Sequence, residues 1–190
     1  MSEQKKSSKD KIIETASRLF QTQGYHATGL NQITKESGAP KGSLYYYFPE
    51  GKEQLASVAV ERTAELVSDR IKEGLNKSNN PAEAIQNFIN DLADAFENRE
   101  SQQGLPVAAV ALETAHSSEV IRLSCQEAYE TWHQVFAEKL MTSGIEKEKA
   151  LELGLVINAM IEGAFINVFT KKDSEPLRQI ARYIPLLLAK

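Results

Sequence analysis

The stretch that decides the fold is residues 24–55, which read GYHATGLNQITKESGAPKGSLYYYFPEGKEQL. It contains a short helix with a polar cap, a tight turn at Gly38, and a second short helix with a lysine, a serine and three consecutive tyrosines. Two helices joined by such a turn form a helix-turn-helix, which lays its second helix in the major groove of DNA. The stretch therefore predicts a DNA-binding domain.

The residues around the turn fit three short helices. The first is predicted over Lys9–Gln23, where apolar residues recur at three- and four-residue intervals on one face, and Gly24 is placed to end it. The second is predicted over about Thr28–Ser37, with the threonine as its cap. The third is predicted over about Pro40–Tyr47, since the fixed φ of proline suits a first helical turn.

The rest of the chain continues as helices, because its apolar residues repeat at helical rather than alternating intervals. We therefore predict an all-α protein of about nine helices in two domains. Residues 1–52 form an N-terminal arm and a three-helix helix-turn-helix domain, and residues 53–190 form a helical domain. The six further helices are predicted to begin near Lys52, Pro81, Leu105, Ser117 and Glu146, and after Pro176.

The net charge of −4 is divided unevenly along the chain. Residues 1–52 hold eight Lys/Arg and five Asp/Glu, a net of +3, whereas residues 53–190 hold fourteen and twenty-one, a net of −7. A basic head on an acidic body places a polyanionic partner at one end only. An imbalance of this size also arises by chance, so the helix-turn-helix carries the argument.

The sequence also bears on where the protein acts. Its one cysteine, Cys125, rules out an intramolecular disulfide, so nothing indicates secretion. The first ten residues have no apolar core and do not form a signal peptide. The longest uninterrupted apolar run, Leu105–Leu112, is far shorter than the roughly 20 residues that cross a bilayer. We expect a soluble, cytoplasmic protein.

The helix predicted over about Glu146–Lys171 is apolar around its whole circumference from Leu151 to Phe169. Such a helix must be covered on all sides, and the core of one small chain covers only one face. We therefore predict a homodimer with this helix and the last one at its interface. The alternative is that both helices form the centre of a monomeric bundle. The residues predicted at the dimer interface are Ala159, Gly163, Ala164, Ile180, Ile184 and Leu187.

Residues 9–56 closely resemble the DNA-binding domain of the TetR family of bacterial transcriptional regulators, and the remainder resembles the family in its helical layout. The resemblance rests on the helix-turn-helix stretch quoted above. It implies a dimer that binds a palindromic operator. It also implies that the C-terminal domain binds a small effector, and that binding moves the fourth helix against the DNA-binding head.

The resemblance also implies a set of DNA contacts. Lysine suits guanine, serine suits any base edge, and glycine lets the backbone approach the groove. Helix starts, near which Thr28 and Lys52 lie, attract phosphate. Tyr45 is suited equally to a base contact and to the core, and the arm lysines Lys5, Lys6 and Lys9 to a DNA contact or a disordered tail. The family's base-contacting positions match Lys41, Gly42, Ser43 and Tyr45, and its phosphate-contacting positions match Thr28, Tyr46, Tyr47 and Lys52.

Two features depart from the usual family pattern. Pro40 stands where a small polar cap is usual, and Glu50-Gly51 adds one residue before Lys52. The Phe-Pro-x-Gly-Lys-Glu form of residues 48–53 and the segment GLPVAAVALE at residues 104–113 are similar to one branch of the family. That branch includes the lincomycin-resistance repressor and flavonoid-responsive regulators.

If the chain follows its family, aromatic residues of the second domain line an effector pocket. Such a pocket suits a planar hydrophobic effector, flavonoid-like compounds among them. At helical spacing the same residues also fit a plain core. Four polar residues on apolar helices, Glu113, His116, Asn158 and Glu162, need partners if they are buried. The pocket candidates are Phe88, Leu92, Phe96, Leu105, Val110, Tyr129, Trp132, His133, Phe136, Glu162 and Phe165.

No catalytic, metal or cofactor site is predicted. His26, His116 and His133 are scattered and lack metal-ligand spacing. Cys125 lies on an apolar helix stripe, which indicates a buried, inert thiol. We therefore predict a repressor released by a small hydrophobic effector, and no enzyme. The alternatives are a DNA-binding regulator that senses oxidants through Cys125, and a helical protein with no DNA role.

Overall fold

A computed structural model describes residues 7–40, 42–98 and 107–189 of the chain. Within these ranges the regular elements are nine α-helices, and the all-α prediction is confirmed. The chain divides into two compact units: residues 1–65 with 103–128 form unit 1, and residues 66–102 with 129–190 form unit 2. The helices are α1 Ser8–Gln23, α2 Leu30–Ser37, α3 Ser43–Tyr47, α4 Lys52–Leu75, α5 Pro81–Glu97, α6 Ala108–Thr114, α7 Glu119–Met141, α8 Lys147–Lys171 and α9 Glu175–Leu187.

The first helix is closed at both ends by local interactions. Ser7 and Asp10 form a capping box, in which the serine hydroxyl accepts from the Asp10 N–H and the Asp10 carboxylate accepts from the Ser7 N–H. The helix ends at Gly24, whose φ of 85° and ψ of 167° lie in a region open essentially to glycine alone. The predicted end of α1 is confirmed.

The second and third helices begin later than the sequence predicts. The N-cap of α2 is Gly29, with no side-chain cap, so the prediction that Thr28 caps this helix is wrong. The Thr28 hydroxyl instead donates to the Gly24 carbonyl over 2.7 Å. Pro40 lies in the turn rather than in α3, because the backbone closes a turn there with Ser43 N–H donating to the Pro40 carbonyl.

In unit 1, helices α2, α3 and α6 pack against α1. Hydroxyl groups tie the first half of α4 to its neighbours, since Ser17 donates to the Ala59 carbonyl over 3.3 Å and the hydroxyls of Ser57 and Ser124 lie 2.7 Å apart. At the start of α7 the Ser118 hydroxyl accepts from a backbone N–H, so the capping residue is one position later than predicted. The hydroxyl contacts thus join α4 to α1 and to α7 within unit 1.

In unit 2, helix α9 packs on α5 and α8. Asn80 caps α5, and its side-chain oxygen accepts from two backbone N–H groups. Near the other end of α5, Arg178 of α9 donates to Asp94 over 2.6 Å and to Glu97 over 3.1 Å, while the Ser174 hydroxyl donates to Glu97. Polar contacts thus fix the start of α9 beside the end of α5.

One described helix, α8, is long and apolar enough to cross a membrane by length and composition alone. Its most apolar 18 residues have a mean hydropathy of 1.6, although no uninterrupted run in it is long. The prediction concerned uninterrupted apolar runs, and α8 contains none long enough to cross a bilayer. The core helix of a soluble protein has the same composition, and 39% of this window is buried within the chain itself.

The two units differ from the predicted division at residue 52. Helix α4 is one continuous 24-residue helix that contributes residues to both units, and so does α7. Unit 1 also includes α6, because α6 packs against α1. A boundary drawn at the end of the helix-turn-helix motif cannot anticipate that a later helix joins the same core.

Candidate nucleic-acid interface

Helix α3 presents two tyrosine side chains to solvent from a buried base. Leu44 and Phe48 are 0% and 1% exposed and anchor the helix in the core of unit 1. Tyr45 and Tyr46 point outward, with 61% and 80% of their surfaces exposed. Neighbouring exposed apolar side chains can mark an interaction site. The outer face of α3 is therefore available to a ligand, and Tyr45 belongs to that face rather than to the core.

The other residues predicted to meet DNA lie beside these tyrosines. Gly42 is exposed and caps α3, while Ser43 and Tyr47 are half-buried. The rings of Tyr46 and Tyr47 meet edge to face with their centroids 5.0 Å apart, which fixes both side chains. Lys41 lies outside the described residues, so its predicted base contact stays a prediction.

A glycine in the left-handed conformation forms the turn before α3, and apolar packing and an ion pair hold α2. Gly38 adopts a left-handed conformation with φ of 62° at the end of α2. Ile33, 0% exposed, anchors α2 in the core. Arg18 of α1 forms a 2.5 Å ion pair with Glu36 of α2, and hydrogen bonds from Gln32 and Arg18 lower the pKa of the Glu36 carboxyl. Helix α2 is thus held against α1 by both apolar and charged contacts.

Thr28 does not offer its side chain to a phosphate. It is fully buried, its hydroxyl donates to the Gly24 carbonyl, and it lies 3.2 Å from the side-chain nitrogen of Gln23, which donates to it. A phosphate contact at Thr28, as the sequence predicts it, therefore cannot come from the side chain. The reason is that Thr28 closes the α1–α2 loop, which is residues 24–29, from the inside.

Lys52, at the start of α4, binds the α1–α2 loop. Its Nζ lies 3.4 Å from the carbonyl oxygen of His26 and 4.3 Å from the centre of the Tyr25 ring. Burial lowers the pKa of Lys52, and the nearby charge of Glu113 opposes this shift. The Glu113 carboxylate in turn accepts the backbone N–H of His26 over 2.7 Å. Lys52 is half-buried and follows Tyr47 by five positions in the chain.

Comparison with known proteins covers both parts of the chain. The family model "Bacterial regulatory proteins, tetR family" matches residues 12–59, and "Transcriptional regulator LmrA/YxaF-like, C-terminal domain" matches residues 81–183. The uncharacterised HTH-type transcriptional regulator YxaF of Bacillus subtilis is 53% identical over 183 residues, which are 96% of each chain. The HTH-type transcriptional regulator LmrA of the same organism is 49% identical over 95% of this chain and 96% of its own length.

The chain belongs to the TetR family. A TetR transcriptional regulator from Legionella pneumophila has the same fold, with a TM-score of 0.80 and 21% identity over 98% of this chain and 100% of its own. The protein is therefore a TetR-type transcriptional regulator of the LmrA/YxaF-like branch, and not an enzyme. TetR-family regulators bind DNA operators and act as dimers.

In this TetR-family chain most effector candidates fall in unit 2. Val110 is buried in unit 1, and Leu105 lies outside the described residues. Phe88 and Phe136 are buried with their ring centres 6.2 Å apart, and the buried ring of Trp132 meets Tyr129 edge to face at 5.2 Å. The half-buried candidates of unit 2 are Leu92, Phe96, Tyr129, His133, Glu162 and Phe165.

A second group of rings includes a residue that the sequence analysis missed. Phe169 stacks on Phe165 and meets Phe96 edge to face, both with ring centres 5.9 Å apart. It lies one helical turn after Phe165 on α8, and that spacing was the available signal. The ring of Phe96 thus joins α5 to the two rings of α8, and the role of these residues in effector binding stays a prediction.

Two titratable groups among the effector candidates are shifted by burial. Burial raises the pKa of Glu162 to about 7. Burial also lowers the pKa of His133, which the charge of Glu130 opposes. Both shifts favour the uncharged form, so an uncharged ligand meets an environment with little fixed charge at these two positions.

The residues predicted at the dimer interface divide into two groups. Ala164 and Ile184 are 6% and 0% exposed within a single chain, so their predicted place at the interface is wrong. They are buried because α8 and α9 pack on each other and on neighbouring helices of unit 2. Ala159 is exposed on α8, and the half-buried members of the set are Gly163, Ile180 and Leu187.

Several exposed apolar residues on the same two helices were missed by the sequence analysis. The residues in question are Leu151, Leu155, Val156 and Ile166 on α8 and Tyr183 and Leu186 on α9, with 37–68% of their surfaces exposed. Periodicity could not single them out, because α8 is apolar on every face and the exposed side depends on which side its own chain covers.

Cys125 is buried in unit 1 with 3% of its surface exposed, and burial raises the pKa of its thiol to about 11. A reactive cysteine needs an accessible, low-pKa thiolate. The thiol of Cys125 is neither accessible nor of low pKa. The observations therefore disfavour the alternative in which Cys125 senses oxidants.

Proposed function

We propose that the protein is a dimeric repressor that binds a palindromic operator through α3 and is released by a small hydrophobic effector. The observation that carries the proposal is the outward face of α3, on which Tyr45 and Tyr46 are exposed above the buried anchors Leu44 and Phe48. In a two-fold dimer the two α3 helices would lie about 34–36 Å apart, or a multiple of this distance, to enter successive major grooves.

The exposed side of α8 supports the dimer. Leu155, Ala159 and Ile166 follow one another at spacings of four and seven residues, so they share one face of the helix. Leu155 and Ile166 are 52% and 56% exposed, whereas the residue between them is an alanine. Large apolar side chains around a small residue let a second helix approach closely. We infer that this face of α8, with Tyr183 and Leu186 of α9, meets its copy in the partner chain.

The rings of unit 2 support a planar hydrophobic effector. Phe165, Phe169 and Phe96 form a connected set of rings, and all three are half-buried rather than fully enclosed. Aromatic walls with a few polar groups favour flat, largely uncharged ligands. Flavonoid-like compounds have this chemistry and head the panel that we propose to test. A DNA-binding regulator of this kind acts in the cytoplasm.

The test begins with selection of duplexes from a random library by the full-length protein. We expect an enriched sequence with two-fold symmetry, bound by two chains, and a gel shift that a flat aromatic compound reverses. An effector that weakens DNA binding about 5–150-fold needs a coupling free energy of only about 1–3 kcal/mol.

Each part of the proposal has its own contrary result. No enrichment of any duplex would contradict DNA recognition, and an enriched site without symmetry would contradict the two-fold dimer. A stable protein–DNA complex that persists with every compound of a broad aromatic panel would contradict the effector class and leave DNA recognition standing.

A further inference from the structure

One residue of the α1–α2 loop is held at both of its backbone groups. The N–H of His26 donates to the Glu113 carboxylate over 2.7 Å, and the carbonyl oxygen of His26 accepts from Lys52 Nζ over 3.4 Å. A carboxylate and an ammonium group thus bind opposite ends of the same residue. Glu113 is in α6, 87 positions later in the chain.

A second contact joins the same two residues. Nε2 of the His26 ring lies 3.3 Å from the backbone oxygen of Glu113. Both the main chain and the side chain of His26 therefore meet Glu113. Helix α6 also packs on α1, the helix that leads into the loop, so the contact lies within one packed unit.

Gly24 gives the carboxylate room to reach the loop. A Cβ atom on Gly24 would lie 2.0 Å from Oε1 and 2.9 Å from Cδ of Glu113, far below contact distance. The φ of Gly24, 85°, is also one that other residues rarely adopt. Only a glycine at this position allows the observed placement of Glu113.

The loop connects this contact to the DNA-binding elements. It leads from α1 through the buried Thr28 and the cap Gly29 into α2, the first helix of the helix-turn-helix. The loop also supplies two groups that Lys52 contacts, the carbonyl oxygen of His26 and the ring of Tyr25. The position of Lys52, a candidate phosphate ligand, therefore depends on a loop that Glu113 holds.

An acidic residue beside a phosphate-binding lysine would by itself repel DNA. The hydrogen bond between Glu113 and His26 offsets this repulsion, because it holds the loop in place. We propose that Glu113 is a positioning residue for operator binding: it holds the α1–α2 loop, and through the loop Lys52 and α2, in the arrangement that fits DNA. The inference rests on the proposed DNA-binding function.

The test compares two changes at position 113. Glu113→Ala removes the hydrogen-bond acceptor and the charge, whereas Glu113→Gln removes the charge and keeps an acceptor for the His26 N–H. Glu73→Ala, at an exposed position of α4 in unit 2, changes the net charge by the same amount and serves as the control. Binding to the selected operator and to a scrambled duplex is measured by fluorescence anisotropy, and folding by thermal melting.

We expect Glu113→Ala to lower the ratio of operator to scrambled affinity about tenfold, because the loop that leads into α2 loses the acceptor of the His26 N–H. Glu113→Gln should restore the ratio to near the wild-type value, and Glu73→Ala should leave it unchanged. If the alanine variant melts too low for the assay, both variants are measured at reduced temperature, where the alanine variant must lose the ratio and the glutamine variant must keep it.

Three results would overturn the inference. Equal tightening on both duplexes by both Glu113 variants would indicate simple repulsion of phosphate. A ratio lost equally in the two variants would indicate that charge, not the bond to the loop, matters. A ratio unchanged in Glu113→Ala would remove any role. If the wild-type protein binds all duplexes alike, the proposed function itself is contradicted, whatever the variants do.

Discussion

The contact between Gly24 and Glu113 predicts that the two positions are energetically coupled. Gly24→Ala should destabilise the wild-type protein for two reasons: a backbone at φ 85° and ψ 167° that alanine adopts only with strain, and a Cβ 2.0 Å from the Glu113 Oε1. In a Glu113→Ala background the second reason disappears, because the carboxylate is no longer there. Only the backbone strain should remain.

The magnitude follows from these two parts. Backbone strain in this region costs about 1–3 kcal/mol and applies in both backgrounds. In the wild type the carboxylate must also move away, which forfeits its bond to His26. Since Glu113 is exposed, that bond contributes about 1 kcal/mol, and the steric adjustment adds a similar amount. We expect Gly24→Ala to cost about 2 kcal/mol more in the wild type than in the Glu113→Ala background.

The assay is urea denaturation of the four proteins, followed by circular dichroism. Gly144→Ala is the control: Gly144 also has a φ of 85°, but apart from its chain neighbours nothing lies within 4 Å of the place its Cβ would take. The cost of that variant should be the same in both backgrounds. If Gly24→Ala costs the same in both backgrounds to within about 0.5 kcal/mol, the two residues do not interact and the close approach carries no energy.

Four further predictions concern other parts of the chain. Leu155→Glu should dissociate the dimer in sedimentation at micromolar concentration, because burying one leucine contributes about 1.5–3 kcal/mol and the change affects both copies; an unchanged dimer would exclude this face. Lys52→Ala should weaken operator and scrambled DNA alike and reduce the slope of log affinity against log salt by about 1, whereas Lys72→Ala should not; loss of sequence preference alone would contradict a phosphate contact. Burial raises the pKa of Glu162 to about 7, above the roughly 4.3 of an unfolded chain. Between these two pH values the folded state therefore holds one proton more than the unfolded state. The contribution of protonated Glu162 to the free energy of unfolding is full below about pH 4.3 and is lost as pH rises through about 7. Melting temperatures from pH 4 to 8 should show this fall, and Glu162→Gln should abolish it. The Cys125 thiol, with its pKa raised to about 11 by burial, should react with a disulfide reagent only as fast as the chain opens, and Cys125→Ser should respond to effectors as the wild type does; rapid labelling of the native protein would restore the redox alternative.

Helical periodicity predicted most of the architecture. Helix α4 begins at Lys52, as the sequence predicts, because a glycine turn precedes the helix. The starts of α8 near Glu146 and of α5 at Pro81 were predicted equally well. Signals of this kind lie within a few residues of the structure that they determine.

The errors share one physical cause. Thr28 has the residue type of a helix cap and of a phosphate ligand, but the bend at Gly24 turns its hydroxyl back onto a carbonyl of the same loop. Ile184 and Ala164 have the pattern of an interface residue, but the helices beside them in the same chain already bury them. In each case the partner that decides the outcome is specified by tertiary packing.

The contact between His26 and Glu113 shows the limit most clearly. The two residues are 87 positions apart, and neither has a pattern that points to the other. In the sequence Glu113 is a polar residue on an apolar helix that needs a partner if buried, whereas in the structure it is exposed and bonded. Long-range pairs between a side chain and a backbone group leave no periodic signal.

The shortness of α3 has a consequence for how operator preference can change. Five residues are far fewer than the roughly 12–15 that an isolated helix needs to be even marginally stable. The orientation of α3 is therefore determined by Leu44 and Phe48, which are buried in the core. A substitution at either of these two residues would change the orientation of α3 and move all of its exposed side chains together. New specificities are therefore accessible through substitutions at residues that never touch a nucleotide.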